Sequence, residues 1–401
     1  MLRMSTNSTE VRHCVNLDGI NGHLFLVVSN LFQSARIGRT VTQDPSKPAG
    51  VKDIARALGV SIGTVDRALH GRSDVSDATR ARVLKMAERL GYRPNVAARS
   101  LKLNRRLKVG VYLPRQIASF FDPLRAGVRA AAGAAIGVNI EVVFRTFPRL
   151  DEGDVEMIEA DADHNFDGII LTPGNPARIE PVLRRLSRQG IPVVFVASDA
   201  TRSERLAAIS VDSYASGALA AELFSMTLHK TGSVATITGE LTTLDHAEKL
   251  RGFAANLAML APNLSLLPVL ESHERPKEAY RQMTALLARK PPPLGLYIST
   301  ANSVSVLRAL EEHKMLGEIK LIATDLFPEL VPLIESGKIL ATLYQRPFAQ
   351  GRAAFEAISR FLADGVRPEE ITKMAPHIIL RSNLHLFTRY MIEADDDAIS
   401  A

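Results

Sequence analysis

Apolar residues change their spacing near residue 107, and the change divides the chain into two kinds of structure. Over Val51–Leu58, the side chains of Ile54, Ala55 and Leu58 fall on one side of a short helix. Gly59-Val60-Ser61 follows and supplies a turn residue, an apolar plug and a helix cap. A second short helix is predicted over Ile62–His70, with Val65 and Leu69 turned inward. A third is predicted over Asp77–Leu90, capped by Ser76 and stopped by Gly91, with Val83, Leu84, Ala87 and Leu90 as its apolar stripe. Two short helices across a glycine-containing turn, closed by a third, predict a small all-α helix-turn-helix head.

Beyond Leu107 the pattern becomes short apolar runs alternating with helical stretches. Strands are expected at Lys108–Leu113, Ile140–Arg145, Gly168–Leu171, Pro192–Val196, Ile209–Val211, Val234–Thr238, Leu294–Ile298, Lys320–Ala323 and Leu340–Tyr344. Helices are expected between them, at Leu124–Ala135, Ile179–Arg188, Ser216–His229 and Ala301–His313 among others. Such alternation predicts parallel sheets covered on both faces. The strands are too many for one open sheet, so two doubly wound α/β lobes are expected. A ligand would lie between them, at the carboxyl ends of the strands.

Charge sharpens the division. Residues 50–108 carry 14 Lys/Arg against 5 Asp/Glu, whereas residues 109–401 carry 30 against 35. A basic module on a mildly acidic body is the footprint of a nucleic-acid-binding head. The single cysteine, Cys14, permits no internal disulfide, which fits a reducing cytoplasm. No apolar run reaches the roughly 20 residues of a membrane span, so no membrane partner is expected. Residues 1–49 read as a leader, disordered or the product of a translation start set too far upstream.

In a helix-turn-helix the second helix enters the major groove by its N-terminal end. Ser61, Ile62, Gly63, Thr64, Asp66 and Arg67 occupy that end. Arg67 can give two hydrogen bonds to a guanine, and Ile62 can touch a thymine methyl. Thr64, Arg72 and Arg82 suit phosphates, which position the protein without reading sequence. After Pro94, the run Asn95–Lys102 is long enough for barely two helical turns and is unstable alone.

The residues Val51-Lys52-Asp53-Ile54-Ala55, Gly59-Val60-Ser61, Thr64-Val65, Arg67, Val75-Ser76, Thr79-Arg80, Val83, Gly91-Tyr92-Arg93-Pro94-Asn95 and Ala98-Arg99-Ser100-Leu101 together resemble the head and hinge of the lactose/galactose repressor family. The resemblance implies a homodimer on a near-palindromic double-stranded DNA operator, its paired hinge helices in the minor groove. Asn95, Ala98, Leu101 and Lys102 then belong to the DNA interface, and Leu101 matches the leucine that wedges between the central base pairs. Asp66 departs from the family, which usually has serine there.

The remainder resembles the two-lobed, periplasmic-binding-protein-like (type I) domain that this family carries to sense a small molecule. The resemblance implies chain crossings between lobes near Asp212, near Gln345 and again near residues 365–380. Phe120 and Phe121 match aromatic residues that stack on a sugar ring, and Ser198 and Asp199 follow a strand. Asn302, Asp325 and Gln345 match polar positions that bond sugar hydroxyls. Ala197 and Ala247 stand where such sites often have an acid and an arginine, and His246, Lys249 or Asp245 are candidates to replace the arginine. A sugar heads the candidate effectors, followed by other small metabolites including nucleosides, with an unliganded domain last.

No phosphate loop, nucleophile elbow or HExxH pair occurs, so neither enzyme chemistry, a metal nor a cofactor is expected. The acidic residues Asp151, Glu152, Asp154, Glu156 and Glu159 fit an exposed helix start. The expected layout is a leader over 1–49, a head over 50–93, a hinge and linker over 94–107, a two-lobed domain over 108–390 and an acidic tail over 391–401. A ligand-responsive regulator, acting as repressor, accounts for both modules in one chain. A solute receptor, or a sugar-metabolism enzyme with an appended head, is the alternative.

Overall fold

The computed structural model describes residues 50–69, 75–90, 92, 106–135, 139–161, 164–200 and 203–388. Its first unit is the three-helix head: α1 (Val51–Leu58), α2 (Ile62–Leu69) and α3 (Asp77–Arg89). Ile54, Ala55, Val65, Ala68, Val75, Val83 and Ala87 form its core, with Leu58, Val60, Met86, Leu90 and Tyr92 against it. One expectation fails here: Leu84 is half-exposed. With Val83 and Ala87 setting the inner face of α3, the next positions on that face are Met86 and Leu90, and Leu84 points a quarter-turn away.

The larger unit has two sheets. The first contains β1 (Leu107–Pro114), β2 (Ile140–Phe147), β3 (Gly168–Leu171), β4 (Val193–Val196), β5 (Ala207–Val211) and β12 (Ile371–Met374), in the order β12-β5-β4-β3-β1-β2. All its pairings are parallel. The second contains β6 (Gly232–Thr238), β7 (Leu264–Leu266), β8 (Leu270–Glu271), β9 (Gly295–Ile298), β10 (Lys320–Thr324), β11 (Ala341–Tyr344) and β13 (His377–Ile379). Its order is β13-β11-β10-β9-β6-β7, with β8 also on β6 and only β13 antiparallel.

Period-two alternation explains why each sheet is covered on both faces. Val194 and Val196 of β4 enter one core, shared with Val109, Val111 and Ile170. Val193 and Phe195 enter another, shared with Tyr112, Ile169 and Leu171. The second sheet divides likewise, with Leu296 and Ile298 on one side and Tyr297 and Ile322 on the other. Helices α4 (Ala118–Ala134), α5 (Asp154–Ala160) and α6 (Pro176–Arg188) connect the strands of the first lobe. Helices α8 (Leu244–Leu260), α9 (Pro276–Leu287), α10 (Val304–Glu312) and α11 (Val331–Glu335) connect those of the second.

The chain changes lobe three times. After β5, Asp212 caps α7 (Ser213–Thr227), accepting from the Ala215 N–H at 2.9 Å, and α7 packs on α8 of the second lobe. After β11, α12 (Pro347–Asp364) returns to pack on α4 of the first lobe. Between β12 and β13 the chain crosses again. All three crossings fall where the family resemblance places them.

The strands absent from the sequence reading are β7, β8, β12 and β13, each four residues or fewer. Such segments carry too little periodicity to register, and exposure alternates along β12 as an edge strand requires. Helix α4 starts six residues before Leu124 and carries Pro123 inside it. The backbone bond lost at Pro123 is offset by burial of Phe120, Phe121 and Leu124. The expected helix at Ala301–His313 begins only at Val304, because Ser299–Ser303 forms the loop after β9.

Candidate functional site

The head presents the N-terminal end of α2. Ser61 Oγ accepts from the Thr64 N–H at 3.0 Å and pairs with Thr64 Oγ1 at 2.8 Å, so it caps the helix and turns the threonine hydroxyl toward itself. Ile62 is 50% exposed, a position an isoleucine takes on a free surface only at a cost in hydration. Gly63 beside it is exposed and keeps the surface low. Arg67 is half-buried in the last turn of α2. Asp66 is half-buried near Tyr92: burial pushes the Tyr92 phenol up, and the Asp66 carboxylate adds to the effect. Arg82 is exposed on α3. Arg72, Asn95, Ala98, Leu101 and Lys102 lie outside the described residues.

The effector candidates converge where strand ends of the two lobes meet. Gln116, after β1, donates its side-chain amide to the carbonyl of Glu274 in the other lobe. Thr243 Oγ1 donates to the carbonyl of Gly174 at 3.1 Å. Phe120 and Phe121 are buried, edge-to-face at 4.9 Å, in an apolar cluster that takes in Ala301 from the second lobe. Non-glycine residues with left-handed backbone gather here: Ile117, Ala197, His273, Glu274, Asp325 and Arg346. Backbone strain of this kind concentrates at ligand sites, where surrounding packing holds it.

On the second lobe the sequence-derived residues form one buried network. Lys249 Nζ donates to Asp245 Oδ2 and to Gln345 Oε1, both at 2.7 Å. Gln345 Nε2 in turn donates to Asp325 Oδ2 at 2.6 Å, and its backbone N–H to Asp325 Oδ1 at 2.9 Å. Burial pushes Asp325 up to about 6, the neighbouring Asp245 adding to a rise that Lys249 and Gln345 oppose. At Asp245 burial also pushes upward, but Lys249, His246 and Ser213 outweigh it and hold the carboxyl low. Of the three candidates to replace an arginine, Lys249 is the one that bonds both Asp245 and Gln345.

Glu274, Thr300 and Ser213 belong to the same network and escaped the sequence reading. Ser213 Oγ bonds Asp245 Oδ1 at 2.5 Å, and Thr300 Oγ1 donates to Glu274 Oε1 at 2.8 Å. Asn302 Nδ2 donates to the Glu274 carbonyl at 3.0 Å, which turns it toward the protein. His246 stands with Nε2 3.5 Å from Glu274 Oε1. The only signal in the sequence was the place of Glu274 just after a strand end, and that strand, β8, is two residues long.

The first lobe contributes Ser198, whose buried Oγ has no partner among the described residues. Asp199 is engaged on both oxygens by Arg205, at 2.6 and 2.8 Å, and Arg205 also reaches Glu370 at 3.1 Å. No pattern in the sequence ties Asp199 to Arg205 six positions on. One described group has the donors to hold a cation: Glu240, Glu271 and His273. His273 Nδ1 is 3.1 Å from Glu240 Oε2, and Glu271 Oε1 accepts from the Leu241 N–H at 2.6 Å, so each of the three already has a protein partner. No described helix is long and apolar enough to cross a membrane.

Comparison with known proteins bears on both units. Residues 109–365 match the model of the periplasmic binding protein domain, and residues 50–95 match that of bacterial regulatory proteins of the lacI family. The HTH-type transcriptional regulator AglR of Rhizobium meliloti is 29% identical over 80% of this chain and 91% of its own length. Catabolite control protein A of Priestia megaterium is 28% identical over 56% of this chain, which spans 64% of that relative's length. The HTH-type transcriptional repressor PurR of Vibrio parahaemolyticus is 24% identical over 84% of this chain and 98% of its own. Among solved structures, the glucose-galactose binding protein GanP of Geobacillus stearothermophilus superposes with a TM-score of 0.63 at 25% identity, over 70% of this chain and 99% of its own. An ABC transporter solute binding protein from Burkholderia graminis, in complex with D-arabinose, gives 0.63 at 24% identity, over 69% and 96%. The chain therefore belongs to the periplasmic binding protein domain family and carries, ahead of that domain, the DNA-binding head of the lacI family of bacterial regulatory proteins.

Proposed function

We propose that the chain is a ligand-responsive, sequence-specific DNA-binding transcription regulator that acts as a repressor in the cytoplasm. The observation that carries this reading is the union, in one chain, of an exposed recognition-helix end and a cleft of buried polar side chains between two lobes. The head reads base edges through Ile62, Gly63 and Arg67, with Asp66 modifying its preference, while Ser61, Thr64 and Arg72 hold phosphates. Asn95, Ala98, Leu101 and Lys102 form the minor-groove hinge, paired across a homodimer on a palindromic operator. These roles rest on the match of residues 50–95 and on the names of the relatives.

The cleft takes a sugar or sugar derivative, contacted by Phe120, Phe121, Ser198, Asp199, His246, Lys249, Asn302, Asp325 and Gln345. Support comes from the likeness to a glucose-galactose binding protein and from the polar network itself. Ligand shifts the population between lobe arrangements and so alters the spacing of the two hinges. Selection of duplexes from a random pool by the full chain, at fixed salt, tests the DNA arm. Enrichment of a near-palindrome is the expected result, and recovery of no sequence preference overturns the reading.

A further inference from the structure

The cleft network holds an excess of negative charge, and that excess specifies the effector. Asp325 and Glu274 are buried on the second lobe, Glu274 at 1% exposure, and Asp245 on the same lobe is partly buried. Lys249 is the cation bonded into this network among the described residues, and its ammonium is shared between Asp245 and Gln345. Two arginines of the first lobe are occupied elsewhere. Arg205 serves Asp199 and Glu370, and Arg125 serves Asp122 and the Pro114 carbonyl.

His246 does not redress the balance. Its Nδ1 is taken up at the Glu240 backbone, 2.9 Å from the N–H and 3.1 Å from the carbonyl oxygen. Nε2 faces Glu274 Oε1 at 3.5 Å, so this one ring stands against both Asp245 and Glu274. Thr300 supplies that same oxygen with a hydrogen bond. Oε2 of Glu274 is buried and has no hydrogen-bond partner among the described residues. Gly239 maintains the packing behind it, because a Cβ there would stand 1.7 Å from Glu274 Oε1 and 2.6 Å from the His246 ring. A buried carboxylate with one oxygen unsatisfied is costly unless a donor, and preferably a cation, arrives with the ligand.

We propose that the effector is a polyhydroxylated compound bearing a basic amino group and no phosphate or carboxylate, with Glu274 as the residue that receives the amine. The inference rests on the regulator reading only in using its cleft. Ser198, whose Oγ has no partner among the described residues, is left to orient a hydroxyl, and Glu274 sets the specificity. Acidic sugars meet Asp245, Asp325 and Glu274 with Lys249 already shared between Asp245 and Gln345, and are refused.

The test is calorimetric titration of the full chain at pH 7 with matched probes: D-glucose and D-glucosamine, D-galactose and D-galactosamine, D-mannose and D-mannosamine, then D-glucose 6-phosphate and D-gluconate. At least one amino member is expected to bind about tenfold or more tightly than its hydroxyl counterpart, with neither acidic probe bound. Glu274→Gln keeps the shape and is expected to bring the ratio of amino to hydroxyl binding to about one. Equal or tighter binding of the hydroxyl member, binding of an acidic probe, binding by no amino compound, or an unchanged ratio in the Gln variant overturns the proposal. Should the variant fail to fold, the ratio in the unaltered chain decides. Operator selection is read separately. A chain that selects a palindrome but prefers a neutral sugar loses this inference and keeps the regulator reading; one that binds the amino compound without selecting DNA does the reverse.

Discussion

The ammonium of Lys249 donates to the side-chain oxygen of Gln345 at 2.7 Å, joining α8 to the point where the chain leaves the second lobe. Gln345 in turn holds Asp325. A side chain in the ligand network is thus bonded to a residue at a lobe crossing. Anything that changes how Lys249 shares its hydrogen bonds therefore bears on the segment that links the two lobes. Lys249→Met removes the shared donor and leaves Asp245 buried with Ser213 and His246. Breaking a buried pair in this way costs about 3–5 kcal/mol. Denaturant unfolding is expected to show that loss in the two-lobed domain, together with loss of effector binding.

The pH response of folding isolates Asp325. Its carboxyl is pushed up to about 6 from an ordinary 3.8, so the folded chain holds this proton more tightly than the unfolded chain does. Its favourable contribution is therefore complete below about pH 3.8 and is lost as pH rises through about 6. Asn at this position carries no titrating proton. The stability of the natural chain relative to Asp325→Asn is expected to fall with rising pH across that window and to level off above it. Urea unfolding of both proteins at a series of pH values gives the difference, and a pH-independent difference contradicts the assignment.

Helices α7 and α8 meet backbone to backbone just after the first crossing. A Cβ at Gly217 would stand 1.9 Å from the Lys249 carbonyl oxygen, and one at Gly252 would stand 2.1 Å from that of Tyr214. Neither obstacle is a flexible side-chain end. Gly217→Ala and Gly252→Ala are each expected to lose about 1–3 kcal/mol by overpacking, with the double variant losing less than the sum because the two share one contact. Urea midpoints at constant slope provide the check.

At the DNA surface the two arginines should separate by kind. Arg67→Ala is expected to cost about 1–3 kcal/mol on the selected operator and to relax preference at one base-pair position. Arg82→Ala is expected to weaken operator and random DNA alike and to lower the salt slope by about 1. Gel-shift titrations over a range of salt distinguish the two patterns.

The extent to which the cleft could be read in advance follows from how its residues are held. Asp325 and Gln345 follow strand ends and Lys249 lies on a regular helix, so the resemblance to the two-lobed domain could be carried onto them position by position. Glu274 lies in a left-handed turn after a two-residue strand and is fixed by Thr300 and Asn302 from a different loop. Nothing local in the sequence announces contacts over such separations. Asp199 was located correctly after β4, but its engagement by Arg205 depends on the path of the chain between them. In the head, cap and turn residues fixed the helices closely, and only the facing of Leu84 was misjudged, by one position on α3.

The central claim is that occupancy of the cleft changes the affinity of the head for its operator. The direct measurement is the affinity of the full chain for its selected palindrome at fixed salt, with and without each compound of the sugar and amino-sugar panel. The account predicts that at least one compound shifts operator affinity by about tenfold while leaving binding to random DNA unchanged. Tight binding of a compound with no change in operator affinity would contradict it.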